Sequence, residues 1–314
     1  MKILFAAPES AWGGFLGMLR AKMPEHHFEA TGQFGVESLA GAHVLIPTMA
    51  LITKETLATQ DRLRLVQQCG SGLESVDVVA AKKMGIRVAN VPTDISGNAD
   101  SVAELAIYLM IGLSRKIHEA ARRLEKGLMG EPQGMALRGR TVGIVGLGGI
   151  GRALALRLKP FGVKLLGIKR SDPAGAKDAL GLDWAGGPGQ LHEMLSKSHY
   201  VVLCLPVTPE SANLMDHNAF SAMKPGAFLI NVSRGGLVDR NALAHALSNN
   251  LISGAGLDVF WEEPPDPDDP ILGENVLVTP HIAGSTDVSM RGIVAGVAEN
   301  IRRIEQGKEP LNAQ

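Results

Sequence analysis

Three glycines, Gly146, Gly148 and Gly151, follow a short apolar run and open a helix-period stretch in the segment TVGIVGLGGIGRALALRL. In this G-x-G-x-x-G spacing the first glycine permits a tight turn, the second lets a pyrophosphate approach the backbone, and the third allows close helix packing. The amides of Gly149 and Ile150 would add donors and a partial positive field for phosphate. Glycine-rich turns serve many strand–helix junctions, but a strand on each side of this helix predicts a dinucleotide site.

The next apolar run ends in KLLGIKRSDP, at the point where a dinucleotide site contacts the adenosine ribose. NAD-specific sites usually have an acidic residue there, which accepts hydrogen bonds from the ribose hydroxyls. This chain has Lys169 and Arg170, with Ser171 beside them, and two cations suit a 2′-phosphate better than a hydroxyl. The segment predicts NADP(H) as the preferred cofactor and NAD(H) as the alternative; a solvated, basic strand end is the competing interpretation.

Three later segments contain residue types suited to proton transfer and carboxylate binding: NVSRGGLVD at 231–239, GLDVFWEEPP at 256–265 and TPHIAGS at 279–285. Histidine exchanges protons near neutral pH, and a carboxylate beside it favours the imidazolium form. Arginine presents a planar fork of donors that matches a carboxylate. In their order and contexts the segments resemble the D-2-hydroxyacid dehydrogenase family, and the resemblance covers nearly the whole chain.

The resemblance implies a role for each of three catalytic residues in interconverting a 2-keto acid and its D-2-hydroxy acid. Arg234 would bind and polarise the substrate, His281 would be the acid/base, and Glu263 would be the carboxylate partner of the histidine. Glu262 is an alternative partner; Glu263 is preferred because the family's glutamate directly precedes the proline. The reaction needs a hydride at the carbonyl carbon and a proton at its oxygen.

The resemblance also assigns residues around the nicotinamide and the substrate carboxylate. Asp258 would contact the nicotinamide carboxamide, and a turn after a strand would line the cofactor pocket with Cys204, Leu205, Pro206 and Thr208. In QQCGSGLESVD, three residues that follow a strand and precede a helical stretch could offer backbone amides to the substrate carboxylate: Gly70, Ser71 and Gly72. The family's matching turn uses main-chain donors chiefly at Ser71 and Gly72, whereas the simpler alternative is a tight turn.

Short β-rich runs alternate with helix-period stretches and predict the elements that position these residues. The strand-like runs are Lys2–Ala6, Val44–Ile46, Leu63–Gln67, Thr141–Val145, Val163–Ile168, Tyr200–Leu205, Ala227–Val232 and Val276–Thr279. Apolar periodicity predicts helices over Ser101–Lys116, Ile117–Lys126 and Asp287–Gln306. The alternation predicts an α/β protein with two doubly wound parallel sheets, Rossmann- and flavodoxin-like. We expect a substrate domain of residues 1–96 plus 284–314, a dinucleotide-binding domain of residues 97–283, and an active-site cleft between them.

Composition excludes several other functions. With 31 basic and 32 acidic residues among 314, the chain shows no overall charge that would attract nucleic acid or anionic membranes. No apolar run reaches the roughly 18 residues of a membrane span, and the apolar start is too short for a signal peptide. Cys69 and Cys204 have no paired spacing, so we expect no disulfide and a reducing cytoplasm. The other histidines lack ligand spacing, so no metal is expected.

The sequence is also compatible with a second functional class. Dinucleotide-sensing corepressors share the fold and much of the same set of residues, although the intact Arg234, Glu263 and His281 favour an enzyme. A turnover assay with a panel of 2-keto acids would separate the two. Glyoxylate and hydroxypyruvate are the first candidates by analogy with NADPH-using family members. The family also implies a homodimer built on the cofactor domains.

Overall fold

The computed structural model describes residues 1–273 and 275–314, which form two compact units. One unit contains residues 1–98 and 285–314, and the other contains residues 99–284. No helix within the described ranges is long and apolar enough to cross a membrane.

Helices and strands alternate along most of the chain. The strands are β1 Lys2–Phe5, β2 His27–Ala30, β3 Val44–Ile46, β4 Leu65–Gln67, β5 Arg87–Ala89, β6 Thr141–Val145, β7 Lys164–Ile168, β8 Trp184–Gly186, β9 Tyr200–Leu203, β10 Phe228–Asn231, β11 Gly254–Leu257 and β12 Val276–Val278. The helices are α1 Ala11–Lys22, α2 Lys54–Leu57, α3 Val78–Lys83, α4 Thr93–Ser96, α5 Asn98–Ser114, α6 Ile117–Glu125, α7 Gly149–Leu158, α8 Pro173–Leu180, α9 Leu191–Lys197, α10 His217–Ala222, α11 Arg240–Ser248 and α12 Asp287–Glu305.

The first unit contains a parallel sheet in the order β2-β1-β3-β4-β5. This is the flavodoxin-like order, in which the chain moves outwards from β1 in both directions. One face of the sheet packs on α1 and α12, and the other packs on α2 and α3. The sheet is therefore covered on both faces, as a parallel sheet requires.

The second unit contains a parallel sheet in the order β12-β11-β10-β9-β6-β7-β8. Counted from β6, this is the Rossmann order with one further strand beyond the sixth. The order reverses between β6 and β9, and a dinucleotide binds outside the carboxyl ends of strands at such a switch point.

Alternate residues of the second sheet enter separate cores. In β6, Val142 and Ile144 join the core on the α5 and α7 side, whereas Val145 joins the core on the α9 and α11 side. The central strands β9 and β10 are buried on both faces, whereas the edge strands β8 and β12 are partly exposed. The arrangement confirms two doubly wound parallel α/β sheets.

Element ends and weak strands differ from the predicted pattern. α5 begins at Asn98 and ends at Ser114, because Lys116 has a left-handed φ of 51° and breaks the helical path. β9 stops at Leu203 rather than Leu205. The strand-like runs predicted from the sequence did not include β2, β5, β8 or β11. β11 reads GAGL, which has weak β-propensity, yet a Cβ at Gly256 would lie 2.9 Å from Leu109 Cβ of α5. Close helix approach therefore requires glycine in that strand.

Candidate active site

The site residues of the second unit share one edge of its sheet. Gly146 follows β6, Lys169 follows β7 and Cys204 follows β9; the Arg234, Asp258 and His281 segments follow β10, β11 and β12. Because all of these strands are parallel, their carboxyl ends meet at the same edge. The neighbouring order β12-β11-β10 also brings the three later segments side by side.

The three glycines of the predicted cofactor turn have distinct surroundings. Gly146 has a φ of 97°, and a Cβ there would lie 2.6 Å from the Cys204 carbonyl oxygen. A Cβ at Gly151 would lie 1.9 Å from the Gly146 carbonyl oxygen, so only glycine lets α7 pack this closely. A Cβ at Gly148 would meet no atom of the described residues within 4 Å. The open space beside Gly148 fits a pyrophosphate that approaches the backbone.

Helix α7 begins directly beside that space. Gly149 and Ile150 stand in its first turn, where N–H groups have no carbonyl partner within the helix. Gly148 precedes the helix with extended backbone, and its carbonyl accepts the N–H of Arg152 at 2.9 Å. The amides and the positive end of the helix dipole therefore suit a phosphate group.

The end of β7 presents the two predicted cations differently. The Lys169 N–H donates to the Gly186 carbonyl at 3.0 Å, which fixes the backbone at the strand end, and its side chain is half-buried. Arg170 and Ser171 are exposed. The nearest acid in sequence, Asp172, caps α8 by accepting the Gly175 N–H at 2.9 Å. This carboxylate is therefore used as a helix cap.

The turn after β9 continues the cofactor edge. The N–H of Cys204 donates to the Val145 carbonyl at 2.8 Å, and burial raises the pKa of the Cys204 thiol to about 12. Ser233 donates its hydroxyl to the Leu205 carbonyl, which connects this turn to the Arg234 segment. Pro206 is exposed and Thr208 is half-buried, so both reach the surface at the switch point.

A buried asparagine organises the Arg234 segment. Asn231 is 1% exposed; its Oδ1 accepts the Ser233 N–H at 3.1 Å and its Nδ2 donates to the Arg234 carbonyl at 2.8 Å. Arg234 is half-buried and donates from Nη1 to the Ser233 carbonyl at 2.7 Å. Sequence reasoning missed Asn231, although a polar residue that ends an apolar strand was a usable signal. The two hydrogen bonds of Asn231 therefore fix the backbone conformation at Arg234.

Gly235 brings two of the three catalytic segments into contact. A Cβ at this position would lie 2.1 Å from the Phe260 carbonyl oxygen and 2.6 Å from the Trp261 nitrogen. The Trp261 indole N–H also donates to the Val238 carbonyl at 2.6 Å. Arg234 and the segment that contains Glu263 are thus held together by a contact that only glycine permits.

His281 and Glu263 form a close pair. His281 Nδ1 lies 2.6 Å from Glu263 Oε2, and the two side chains are 31% and 17% exposed. Glu263 Oε1 accepts the Phe260 N–H at 3.0 Å. Burial acts to raise the pKa of Glu263, but the hydrogen bond and charge of His281, with smaller effects from Phe260 and Arg234, hold that pKa below its ordinary value. Glu262 is exposed, so the carboxylate that meets the histidine is that of Glu263.

Asp258 supports the backbone around His281, which has a left-handed φ of 53°. The fully buried Asp258 carboxylate accepts the Thr279 hydroxyl at 2.6 Å and the N–H groups of Ile282 and Ala283, each at 2.9 Å. Burial raises the pKa of Asp258, although these hydrogen bonds act in the opposite direction. Sequence reasoning missed this support and the part of Thr279 in it. The predicted contact of Asp258 with a nicotinamide carboxamide stays a prediction.

The predicted carboxylate-binding turn belongs to the first unit. Gly70, Ser71 and Gly72 follow β4, and the Asn90 side chain donates to the Ser71 carbonyl at 2.7 Å. The turn does not open a helix directly, because Asp77 caps α3 only from Val78 onwards. Within the described part of the chain, the N–H groups of Ser71 and Gly72 donate to no protein acceptor. They are therefore available to an anion.

No set of three His, Cys, Asp or Glu side chains among the described residues has the arrangement of a metal site.

Known proteins show the same organisation. Residues 107–283 match the family model for the NAD binding domain of D-isomer specific 2-hydroxyacid dehydrogenases. The glyoxylate reductase of Thermococcus litoralis is 34% identical over 270 residues, which cover 83% of this chain and 80% of that protein. The D-3-phosphoglycerate dehydrogenase of Methanocaldococcus jannaschii is 32% identical over 277 residues, which cover 87% of this chain and 52% of that protein.

A solved structure matches over the full length. The NADPH-dependent glyoxylate/hydroxypyruvate reductase of Sinorhizobium meliloti, in complex with NADP and malonate, is 28% identical, with a TM-score of 0.84. The match covers 100% of this chain and 96% of that one. The family model spans more than half of the chain, and the glycine turn and parallel sheets agree with it. The chain therefore belongs to the D-isomer-specific 2-hydroxyacid dehydrogenase family and is an oxidoreductase that depends on a nicotinamide dinucleotide.

Proposed function

We propose that this enzyme interconverts a small 2-keto acid and its D-2-hydroxy acid, with glyoxylate and hydroxypyruvate as the first candidate substrates and NADP(H) as the preferred cofactor. The observation that carries the proposal is the pair of His281 Nδ1 and Glu263 Oε2 at 2.6 Å, on the same sheet edge as the dinucleotide turn. Carbonyl reduction needs a proton donor beside the hydride donor, and a histidine with a carboxylate partner can supply that proton.

His281 is the acid/base in this proposal. Its Nδ1 faces Glu263, so Nε2 on the opposite side of the ring gives the proton to the carbonyl oxygen during reduction. Glu263 fixes the ring orientation and places its negative charge beside the imidazole. In the reverse direction, Nε2 accepts the hydroxyl proton. When bound, the nicotinamide supplies or accepts the hydride.

Arg234 binds and polarises the substrate. Asn231 fixes the backbone of this residue by donating to the Arg234 carbonyl. The guanidinium donates from Nη1 to the Ser233 carbonyl and contributes a permanent positive charge beside the Glu263 segment. A planar fork of donors can hold a carboxylate and the neighbouring carbonyl oxygen in one orientation. In the first unit, the amides of Ser71 and Gly72 donate to no protein acceptor among the described residues, and they are the proposed donors to a carboxylate.

Two features support the choice of substrate and cofactor. The relatives reported above include two proteins named for glyoxylate reduction, and one of these is NADPH-dependent. Lys169 and Arg170 provide positive charge at the end of β7, where an NAD-specific site has an acid. A charge-assisted hydrogen bond contributes roughly 1.5 to 3 kcal/mol, so one such contact favours NADPH by about 10-fold or more before solvent screening.

The proposed enzyme is a homodimer formed through its second unit. Large apolar side chains are exposed on α5, on α6 and on the segment after α6: Tyr108, Ile111, Ile117, Leu124, Leu128 and Met129. α6 contains no buried residue, so its apolar side chains remain accessible in the described unit. A second copy would cover them. Sedimentation should give a dimer for the wild type and a monomer for Leu124→Lys with Met129→Lys, whereas Leu156→Lys on α7 should leave the dimer intact.

Turnover with a panel of 2-keto acids tests the function. Glyoxylate, hydroxypyruvate, pyruvate and 3-phosphohydroxypyruvate are each offered with NADPH and with NADH, and the D configuration of chiral products is checked. Reduction of glyoxylate or hydroxypyruvate with the higher kcat/KM for NADPH is the expected result. Binding of a dinucleotide without turnover of any keto acid would instead favour a sensor.

A further inference from the structure

Glu210 is a negative charge at the cofactor edge that has no place in the roles derived so far. It lies in the turn after β9, is exposed, and accepts the Thr208 hydroxyl on Oε2 at 2.8 Å. Ser211 Oγ accepts the Thr208 N–H at 2.8 Å and donates to the Pro206 carbonyl at 2.9 Å. These hydrogen bonds fix the turn, so Glu210 is held at the switch point rather than displayed on a loose loop.

The sheet register places Glu210 on the same edge as Arg170. Val145 of β6 pairs with Ile168 of β7 on one side and with Leu203 of β9 on the other. Adjacent strands are about 4.8 Å apart, so Ile168 and Leu203 are separated by about 10 Å across β6. Arg170 follows Ile168 by two residues, and the turn that carries Glu210 leaves the sheet just after Leu203.

The two charges influence each other across this gap. The hydrogen bond from Thr208 lowers the pKa of Glu210, and the positive charge of Arg170 lowers it further. Arg170 therefore shares this edge of the sheet with a carboxylate, whereas the sequence alone indicates two adjacent cations at the end of β7. The positive charge of Arg170 attracts the Glu210 carboxylate as well as any bound phosphate.

We propose that Glu210 is a cofactor-specificity residue. It reduces the preference for NADPH over NADH because its carboxylate competes with the 2′-phosphate for the charge of Arg170. The inference rests on the proposed function only in that a nicotinamide dinucleotide binds at this turn. NADPH carries a 2′-phosphate that competes with Glu210 for Arg170. NADH has a neutral hydroxyl at that place, so Glu210 has little effect on its affinity.

Equilibrium binding of each cofactor to the purified full chain tests this proposal without reference to a substrate. Glu210→Gln keeps an acceptor for the Thr208 hydroxyl and removes only the charge. Exposed ion pairs are weak, so we expect the Kd for NADPH to fall by about 2- to 5-fold while that for NADH stays nearly constant. The gain should shrink as salt is raised. Glu193→Gln on α9 removes another exposed acid, away from this edge, and should leave both constants unchanged.

A second variant tests the dependence on Arg170. In an Arg170→Ala background, Glu210→Gln should no longer improve NADPH binding, because the charge through which it acts is gone. An unchanged Kd for NADPH in the single variant overturns the proposal, as does an equal gain for both cofactors. A gain that persists without Arg170 also overturns it, since Glu210 would then repel the phosphate directly. Failure of every keto acid to react would refute the proposed substrate class and leave this binding result standing.

Discussion

Glu263 connects His281 to the backbone of the preceding segment: its Oε2 lies 2.6 Å from His281 Nδ1, and its Oε1 accepts the Phe260 N–H at 3.0 Å. One carboxylate thus sets both the ring orientation and the position of the acid relative to the protein. Gly235 packs on the same Phe260 backbone and carries Arg234 beside it. Substitutions of His281, Glu263, Arg234 and Gly235 should therefore have different measurable effects.

Replacement of His281 by alanine should remove proton transfer. We expect turnover to fall by roughly 10²- to 10⁴-fold, the usual contribution of a positioned acid/base, while folding and cofactor binding persist. Steady-state kinetics and a dinucleotide titration measure the two effects. His192→Ala on α9 is the matched control, because this exposed histidine lies outside the site. Near-normal turnover in His281→Ala would remove the residue from the mechanism.

Glu263→Gln should change the pH dependence of keto-acid reduction. The variant lacks the negative charge that lies 2.6 Å from His281 Nδ1 in the wild type, so the alkaline limb of the activity profile should move to lower pH. The pH profile of kcat/KM for the wild type and the variant gives the displacement. Glu262→Gln is the neighbouring control and should leave the profile unmoved. If Glu262→Gln moves it and Glu263→Gln does not, the partner has been misassigned.

Glu263 should also contribute to stability in a defined pH range. Interactions with His281 hold its pKa below the ordinary value of 4.5, against the opposing effect of burial. The folded state therefore gains stability from the ionised carboxylate above that value and loses it as the pH falls through the lowered pKa. Denaturant unfolding should show a wild-type advantage over Glu263→Gln at neutral pH that disappears in acid. An advantage that grows on acidification would contradict this sign.

Arg234→Lys keeps the charge and loses the planar fork. We expect kcat/KM for the keto acid to fall by about 10- to 100-fold, the range of one lost charge-assisted hydrogen bond. Arg240→Lys, nearby on α11 and exposed, serves as the control and should have little effect. Wild-type kinetics in Arg234→Lys would mean that the residue supplies only a diffuse positive field.

Two adjacent glycines should respond differently to the same methyl group. A Cβ at Gly235 would lie 2.1 Å from the Phe260 carbonyl oxygen, whereas the nearest atom to a Cβ at Gly236 is Val207 Cγ2 at 3.6 Å. We expect Gly235→Ala to lower the free energy of unfolding by about 1 to 3 kcal/mol and to reduce activity, because the Arg234 and Glu263 segments must separate. Gly236→Ala should change both little. Chemical denaturation of the two variants provides the comparison, and equal stabilities would show that the contact yields without strain.

Much of this protein could be predicted from local patterns in its chain. The glycine spacing at 146–151 specifies a strand–turn–helix unit, because each position imposes its own backbone requirement. The alternation of apolar runs indicated parallel sheets with helices on both faces, and the three later segments identified the chemistry. β11 was missed because its glycines are explained only by the helix that packs on them.

Tertiary structure decided which side chains meet. Glu262 and Glu263 are adjacent in the sequence, where the family resemblance favours Glu263, and the folded path of their segment turns Glu263 towards His281. Asn231 and Asp258 act through hydrogen bonds to backbone groups, and Thr279 donates its hydroxyl to the Asp258 carboxylate; such partners leave little trace in residue type alone. The charge opposite Arg170 comes from Glu210, forty residues later, by way of the sheet register across β6. Residue types and spacing determined the chemistry available to this protein, whereas the partners of each charged group depended on strands that are distant in the chain and adjacent in the sheet.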